Sequence, residues 1–239
     1  MISPFLGAQC LLAGLRLVLK PELRRFVWMP FLVNMVLFGL GLWFGFGQIG
    51  GLLLWLDGFL PAWLHWLSWL VVPFLVVGVV LLVFSTFTIV ANLLAAPFNS
   101  LLAAEVEGFI TGEKPVAEDI GGAMANELEK LFYSIKWLFL VPILFFIPVV
   151  NVVASPVWFI LCAWMMAVEY ADFPMANHAM GGRAVRRHLR RNWGGSLGFG
   201  VAVMVLMMVP VVNFLAMPAA VAGATVFWLK THKQETLQF

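Results

Sequence analysis

The chain has 239 residues, of which 63% are hydrophobic and only 11% charged, with a net charge of +2. Soluble domains carry about 25% charged residues, so a water-soluble globule is excluded and the expected solvent for most of the surface is lipid. The net charge is too small to imply a nucleic-acid partner.

The charges are gathered at a few places. Arg25 is followed by 31 uncharged residues before Asp57, and Asp57 by 47 more before Glu105. A span of the hydrocarbon core needs roughly 20 apolar residues. Cys10 and Cys162 stand far apart in apolar surroundings with no CxxC pair, so they read as buried thiols, with no disulfide or metal site expected. The N-terminus has no basic region ahead of an apolar run, so no cleavable signal peptide is expected.

In chain order, residues 3–20 predict an interfacial helix. Phe5, Leu6, Leu12, Leu15 and Leu19 make one apolar side; Gln9, Arg16 and Lys20 make a polar one. Pro21 marks a break and a new helix start. Residues 27–56 predict a first transmembrane helix, closed by a turn around Asp57, Gly58 and Pro61 where Trp55, Trp63, Trp66 and Trp69 suit a lipid–water boundary. Residues 68–104 predict a second transmembrane helix. Residues 105–136 hold ten charges, seven of them acidic, and predict a polar, water-exposed helical segment.

Two later stretches share one pattern. Ile147-Pro148-Val149-Val150-Asn151 through Ala154 and Pro156 matches Val209-Pro210-Val211-Val212-Asn213 through Ala216 and Pro218, 62 residues on. The pattern predicts two Pro/Asn-broken helical hairpins, residues 137–168 and 196–229, separated by a basic cytoplasmic segment at 169–191. Their first arms, 11 and 14 uncharged residues, reach roughly 16 and 21 Å against a core near 30 Å, which suits hairpins that dip into the membrane and return. A six-crossing chain whose first arms borrow Tyr133, Lys136 and Trp193 remains the alternative. In either topology all fourteen Lys and Arg residues fall on one side with both termini, and the positive-inside rule puts that side in the cytoplasm. The fold class is therefore an all-α, multi-pass membrane protein in a single domain.

Several runs together resemble the CysZ family of sulfate transporters. They are Pro21-Glu22-Leu23-Arg24-Arg25-Phe26-Val27 with Pro30 and Asn34, and Asn92-Leu93-Leu94-Ala95-Ala96-Pro97-Phe98-Asn99. Tyr170-Ala171-Asp172-Phe173-Pro174 with Asn177-His178, and Asn213 through Met217-Pro218 to Gly223-Ala224-Thr225, complete the set. The resemblance spans nearly the whole chain. It implies a sulfate permease of the bacterial inner membrane that feeds assimilatory cysteine synthesis, and a homo-oligomer without an ATP-hydrolysing subunit. It also implies two full crossings with membrane-dipping hairpins.

The first site candidate is the helix start at Pro21. With proline first, the N–H groups of Glu22 and Leu23 are expected to lack intrahelical acceptors at the positive helix end. Arg24 and Arg25 add guanidinium forks that suit sulfate or related oxyanions such as sulfite. The family's glycine-leucine-arginine motif lines up here, with Glu22 in the glycine position. The alternative is that both arginines bind lipid phosphate. A second candidate is an uncharged polar stripe, Ser85, Thr88, Asn92 and Asn99, at steps that share one helix face, together with Asn34. It suits a pore lining for a partly dehydrated anion, or helix–helix contacts. Arg183, Arg186, Arg187, Arg190 and Arg191 read as an anchor to anionic lipid or an anion funnel. His178, near Asp172 in sequence, reads as structural, and proton coupling at Glu105 and Glu107 stays open. No GxxxxGK[ST], GxSxG or HExxH pattern occurs, so the chain is expected to be neither an ATPase nor another enzyme and to need no cofactor. A non-transporting scaffold or lipid-binding protein is the alternative function.

Overall fold

The computed structural model describes residues 3–26, 68–145, 151–210 and 212–236, and scattered residues between 28 and 58. Every regular element among them is helical. The helices are α1 (Pro4–Val18), α2 (Ser68–Thr111), α3 (Ile120–Phe145), α4 (Asn151–Ala176), α5 (Gly182–Arg191), α6 (Trp193–Met207) and α7 (Asn213–Thr236). The chain divides into two compact units, residues 29–93 and residues 1–28 with 94–239.

In the unit 29–93 the described residues are helical and turn large apolar side chains outward. Trp43 is 79% exposed, Phe74 71% and Phe84 62%. Such a surface is unsuited to water and suited to lipid. The expected turn around residues 57–67 lies outside the described residues, apart from Gly58.

The other unit is built on α1. Ser3 Oγ accepts the Phe5 N–H at 3.3 Å and Pro4 occupies the first turn, so the helix start needs no other partner. Its buried face is Gly7, Cys10, Leu11, Gly14 and Val18, a stripe at steps of three and four. That face meets α6 and α7, while Phe5, Leu12 and Leu19 stay exposed. Of the apolar side picked out in the sequence, Phe5, Leu12 and Leu19 face outward while Leu6 and Leu15 pack partly against the core, and a small-residue side makes the closest contacts. Backbones come into contact there. A Cβ on Gly7 would overlap the Gly195 carbonyl, and one on Gly14 would overlap Ala219 and Gly223. Helix α4 packs against α6 in the same way, with Gly200 on the Ala163 carbonyl.

Helix ends follow from local chemistry. α2 stops at Thr111 because Gly112 adopts φ +82°, while its N–H reaches the Gly108 carbonyl at 3.0 Å. α3 opens where Asp119 Oδ2 accepts the N–H groups of Gly121 at 3.1 Å and Gly122 at 3.3 Å. It runs unbroken from the acidic segment through Lys136 into the apolar arm, 26 residues in all. α6 and α7 are separated by a break at Pro210, which has no N–H to continue α6, and the Asn213 N–H finds the Val209 carbonyl at 2.8 Å. α6 has 15 residues, about 22 Å. The tip of the first hairpin, residues 146–150, lies outside the described residues, and α4 begins at Asn151. Ala154–Ala176 within α4 is long and apolar enough to cross a membrane.

Gly200→Ala is expected to destabilise the protein by roughly 1–3 kcal/mol or more, because the neighbour is a carbonyl that cannot rotate away. Gly78→Ala has open space around it and should be neutral or stabilising by up to ~1 kcal/mol, as Ala replaces Gly in a helix. Thermal unfolding of the two variants in detergent tests this; equal stability would show that the glycine contacts are dispensable.

Candidate functional site

The Pro21 turn sits between the end of α1 and the last turns of α2. Leu23 anchors it: the side chain is 2% exposed and packs with Leu11, Val18, Leu102 and Val106. The Lys20 carbonyl accepts the N–H groups of both Leu23 and Arg24 at 3.1 Å. The expectation of a free Leu23 amide is therefore not met, because the helix start closes on its own preceding carbonyl. Among the described residues Glu22 is left as the amide of that turn without a partner. Arg24 Nε donates to the Leu19 carbonyl at 3.1 Å and so caps α1.

Arg25 points into a cleft of about 330 Å³ whose lining includes Glu22, Glu105, Phe109 and Lys114. Arg25 Nη2 lies 3.7 Å from Glu105 Oε1, and Lys114 Nζ bonds the same oxygen. Arg25 is 72% exposed at its side chain and Glu105 22%. The Lys20 ammonium lies 4.2 Å from the centre of the Phe109 ring. Two cations thus share one carboxylate in a cleft open to solvent. Lys114 and Glu105 were not predicted as partners of the turn. They come from the far end of α2 and the loop beyond it, and only the fold brings them in.

The polar stripe is only partly described. Ser85 is exposed on α2; the side chains of Thr88 and Asn92, and the whole of Asn34, lie outside the described residues. Asn99 is buried at 5% exposure, with its amide 3.8 Å from the Met217 sulfur. Next to it Ser100 is 1% exposed and its hydroxyl has no partner. Asn213, at the start of α7, is exposed.

A second polar group was not foreseen from the sequence. Lys130 on α3 is 4% exposed. Its ammonium lies 2.7 Å from Glu127, 3.4 Å from Glu169 and 3.7 Å from Asp172, and 4.1 Å from the Phe173 ring centre. Burial alone would lower its pKa, but the carboxylates of Glu169, Glu127 and Asp172 outweigh that and push it up. Burial and the nearby Glu169 push Glu127 up as well, against the pull of Lys130. Asp172 is therefore the partner of Lys130, and His178 pairs instead with Glu107 at 3.0 Å. Asn177 bridges neighbouring segments, donating to the Ser100 carbonyl and accepting from the Glu118 N–H, both at 2.9 Å. The sequence signal was Lys130 closely flanked by Glu127 and Glu129 within the acidic stretch 105–136, plus the Tyr170–His178 run.

An all-helical body with an outward apolar surface and cations gathered at one helix turn is the build of a membrane protein. Residues 10–218 match the family described as "Sulfate transporter CysZ/Etoposide-induced protein 2.4". A protein of Pseudomonas fluorescens (strain Pf0-1) named "Sulfate transporter CysZ" is 43% identical over 242 residues, which cover 97% of this chain and 96% of that one. Proteins of the same name from Pectobacterium atrosepticum and Salmonella typhimurium are 37% and 38% identical, over 95% and 90% of this chain. The chain belongs to this family, a family of bacterial membrane transporters rather than enzymes.

Lys130→Met should cost about 3–5 kcal/mol, since it strands buried carboxylates without their cation. The pH dependence has a definite sign. Lys130 holds its proton more tightly folded than unfolded, so in the wild type its contribution is present below its ordinary value of 10.5 and is lost as pH rises through the folded value. In the variant the stranded carboxylates, the raised Glu127 among them, set the profile, and stability is regained as pH falls through the folded pKa of Glu127 towards 4.5. Unfolding in detergent between pH 5 and pH 8 checks this; a variant with the wild-type pH profile would contradict it.

Proposed function

We propose that this chain carries sulfate across the bacterial inner membrane, by a channel-like or ion-coupled route without its own ATPase, and supplies assimilatory cysteine synthesis. The observation that carries the site assignment is the cleft in which Arg25 and Lys114 share the single carboxylate of Glu105. Sulfate brings two negative charges and four acceptor oxygens, whereas Glu105 brings one charge. A dianion in the cleft takes over Arg25 and Lys114 and adds the unpartnered Glu22 N–H at the positive end of the helix. Arg24 holds the shape of the turn through Leu19. Leu23 fixes the turn to the core, and Glu22, in the place of the family's glycine, lines the same cleft and sets a second carboxylate beside the cations.

We also infer that the stripe Ser85, Thr88, Asn92 and Asn99, with Asn34, lines a path for the anion. The spacing of Ser85, Thr88, Asn92 and Asn99 on α2, and the buried Asn99 amide 3.8 Å from the Met217 sulfur, support it. Uncharged donors replace part of the hydration shell without trapping the ion. Multi-pass insertion with both termini in the cytoplasm follows from the one-sided placement of all fourteen Lys and Arg residues.

Sulfate binding and uptake by reconstituted protein test the site. Arg25→Ala should weaken sulfate affinity about tenfold, the loss of one charge-assisted contact of ~1.4 kcal/mol in a solvent-screened position. Arg25→Lys should rescue only partly, because it lacks the fork. Glu105→Gln should bind sulfate as tightly as wild type or more so, since it removes the competing carboxylate. Asn92→Leu should fold and bind but conduct poorly. If the arginines hold only lipid phosphate, Arg25→Ala leaves sulfate affinity unchanged and Lys rescues membrane insertion in full.

A reporter fused after residue 239 should be found in the cytoplasm. An even split between the two sides of the membrane would show dual insertion and overturn the one-sided topology.

A further inference from the structure

We propose that the cleft between α3 and α5 is a headgroup site for one anionic phospholipid. The cleft has a volume of about 790 Å³, and its walls include Glu129, Phe132, Tyr133, Arg183, Arg186 and Arg187. It shares no residue with the cleft at Pro21, so it stands or falls independently of sulfate transport.

Arg186 is already engaged. Its Nη2 lies 3.3 Å from Glu129 Oε1, its guanidinium is 4.6 Å from the Tyr133 ring centre, and its side chain is only 16% exposed. It forms a wall and leaves its two neighbours open. Arg183 and Arg187, one helical turn apart, are exposed on the same side of α5. Among the described residues neither has an ion pair. Three guanidinium groups therefore face one carboxylate, and two of them keep their full capacity for charge-assisted bonds. The excess of charge calls for an anion.

The surroundings decide which anion. Phe132, Ile135 and Phe139 follow one face of α3 away from the arginines, at steps of three and four, and are 71%, 37% and 72% exposed. A small inorganic oxyanion makes no use of that stripe. A phospholipid uses both parts: its phosphate takes the guanidinium forks and an acyl chain lies along the phenyl rings. A zwitterionic headgroup would bring an ammonium towards Arg183 and Arg187, so a headgroup with net negative charge fits best. Anionic lipid of the cytoplasmic leaflet attracts basic segments electrostatically.

The test uses the full-length protein, delipidated in neutral detergent. It is titrated with phosphatidylglycerol or phosphatidylcholine in mixed micelles and read by native mass spectrometry and thermal unfolding. Wild type should retain one phosphatidylglycerol per chain and prefer it over phosphatidylcholine about tenfold. Arg183→Ala with Arg187→Ala should abolish that preference, and Phe132→Ser should weaken retention of both lipids. Arg190→Ala with Arg191→Ala, on the same helix but outside the cleft, should keep the wild-type preference. Should the double Ala variant fail to fold, Arg183→Lys with Arg187→Lys serves, with an intermediate loss expected and wild-type retention counting against the site. An equal loss in the Arg190/Arg191 pair would reduce the effect to diffuse attraction. Displacement of phosphatidylglycerol by millimolar sulfate or phosphate, at matched ionic strength, would make the cleft a small-oxyanion site. Either result, or absence of any preference in wild type, overturns the proposal.

Discussion

Backbone contact between helices is the constraint on which the larger unit depends. In lipid an apolar side chain gains little by leaving its neighbours for another helix, so association rests on close packing and on polar pairs. Gly7 and Gly14 of α1 meet the backbones of α6 and α7, and Gly200 of α6 meets Ala163 of α4. Removing the Cβ atoms lets short helices gain dispersion contacts along their whole length. The larger apolar residues are then free to face outward, as Phe5 and Leu12 do on α1. The same nesting fixes the end of α1 and therefore the position of the Pro21 turn, through Val18 and Leu23 in one core with Leu102 and Val106.

Charge is handled differently at the two ends of its burial range. Lys130 is enclosed, so it needs carboxylates on several sides, and Glu127, Glu169 and Asp172 supply them from two helices. A group of that kind ties α3 to α4 and resists rearrangement, because separating Lys130 from Asp172 leaves buried charges without solvent. Arg25 is open to water and its pairing with Glu105 is long, at 3.7 Å. An exposed pair of that length contributes little to stability. It can therefore be exchanged for another anion without loosening the fold, which is what a transient binding site requires.

Much of this was legible in the sequence. The later charge gaps give the apolar helices α2, α4 and α6, Pro21 gives the turn, Pro210 with Asn213 gives the break between α6 and α7, and the arginine run gives α5. These features are local, and each is set by residues within a turn or two. The misses have a common origin in distance along the chain. Glu107 and His178 are 71 residues apart, Lys130 and Glu169 39, and no period or spacing joins them. The free amide expected at Leu23 fails for a local reason: the turn after α1 is tight enough for the Lys20 carbonyl to accept two N–H groups. The packing face of α1 was not read from the sequence, because hydrophobicity alone ranks leucine above glycine, whereas close packing in lipid favours the small residue.

Two basic clefts in one chain raise a question of selectivity, since sulfate and a lipid phosphodiester present similar oxygens. Their surroundings differ in ways that bear on it. At the Pro21 turn the cations are shared with Glu105. A singly charged phosphodiester that displaces one carboxylate gains little net charge attraction, whereas a dianion gains a full unit. At the α3–α5 cleft Arg183 and Arg187 stand beside the apolar face of Phe132 and Phe139. A singly charged amphiphile adds hydrophobic burial there, at about 25 cal/mol per Å², which a hydrated dianion cannot match. On the proposed reading the carboxylate at one cleft and the aromatic stripe at the other sort two ligands of the same oxygen chemistry, with charge deciding the first and shape the second.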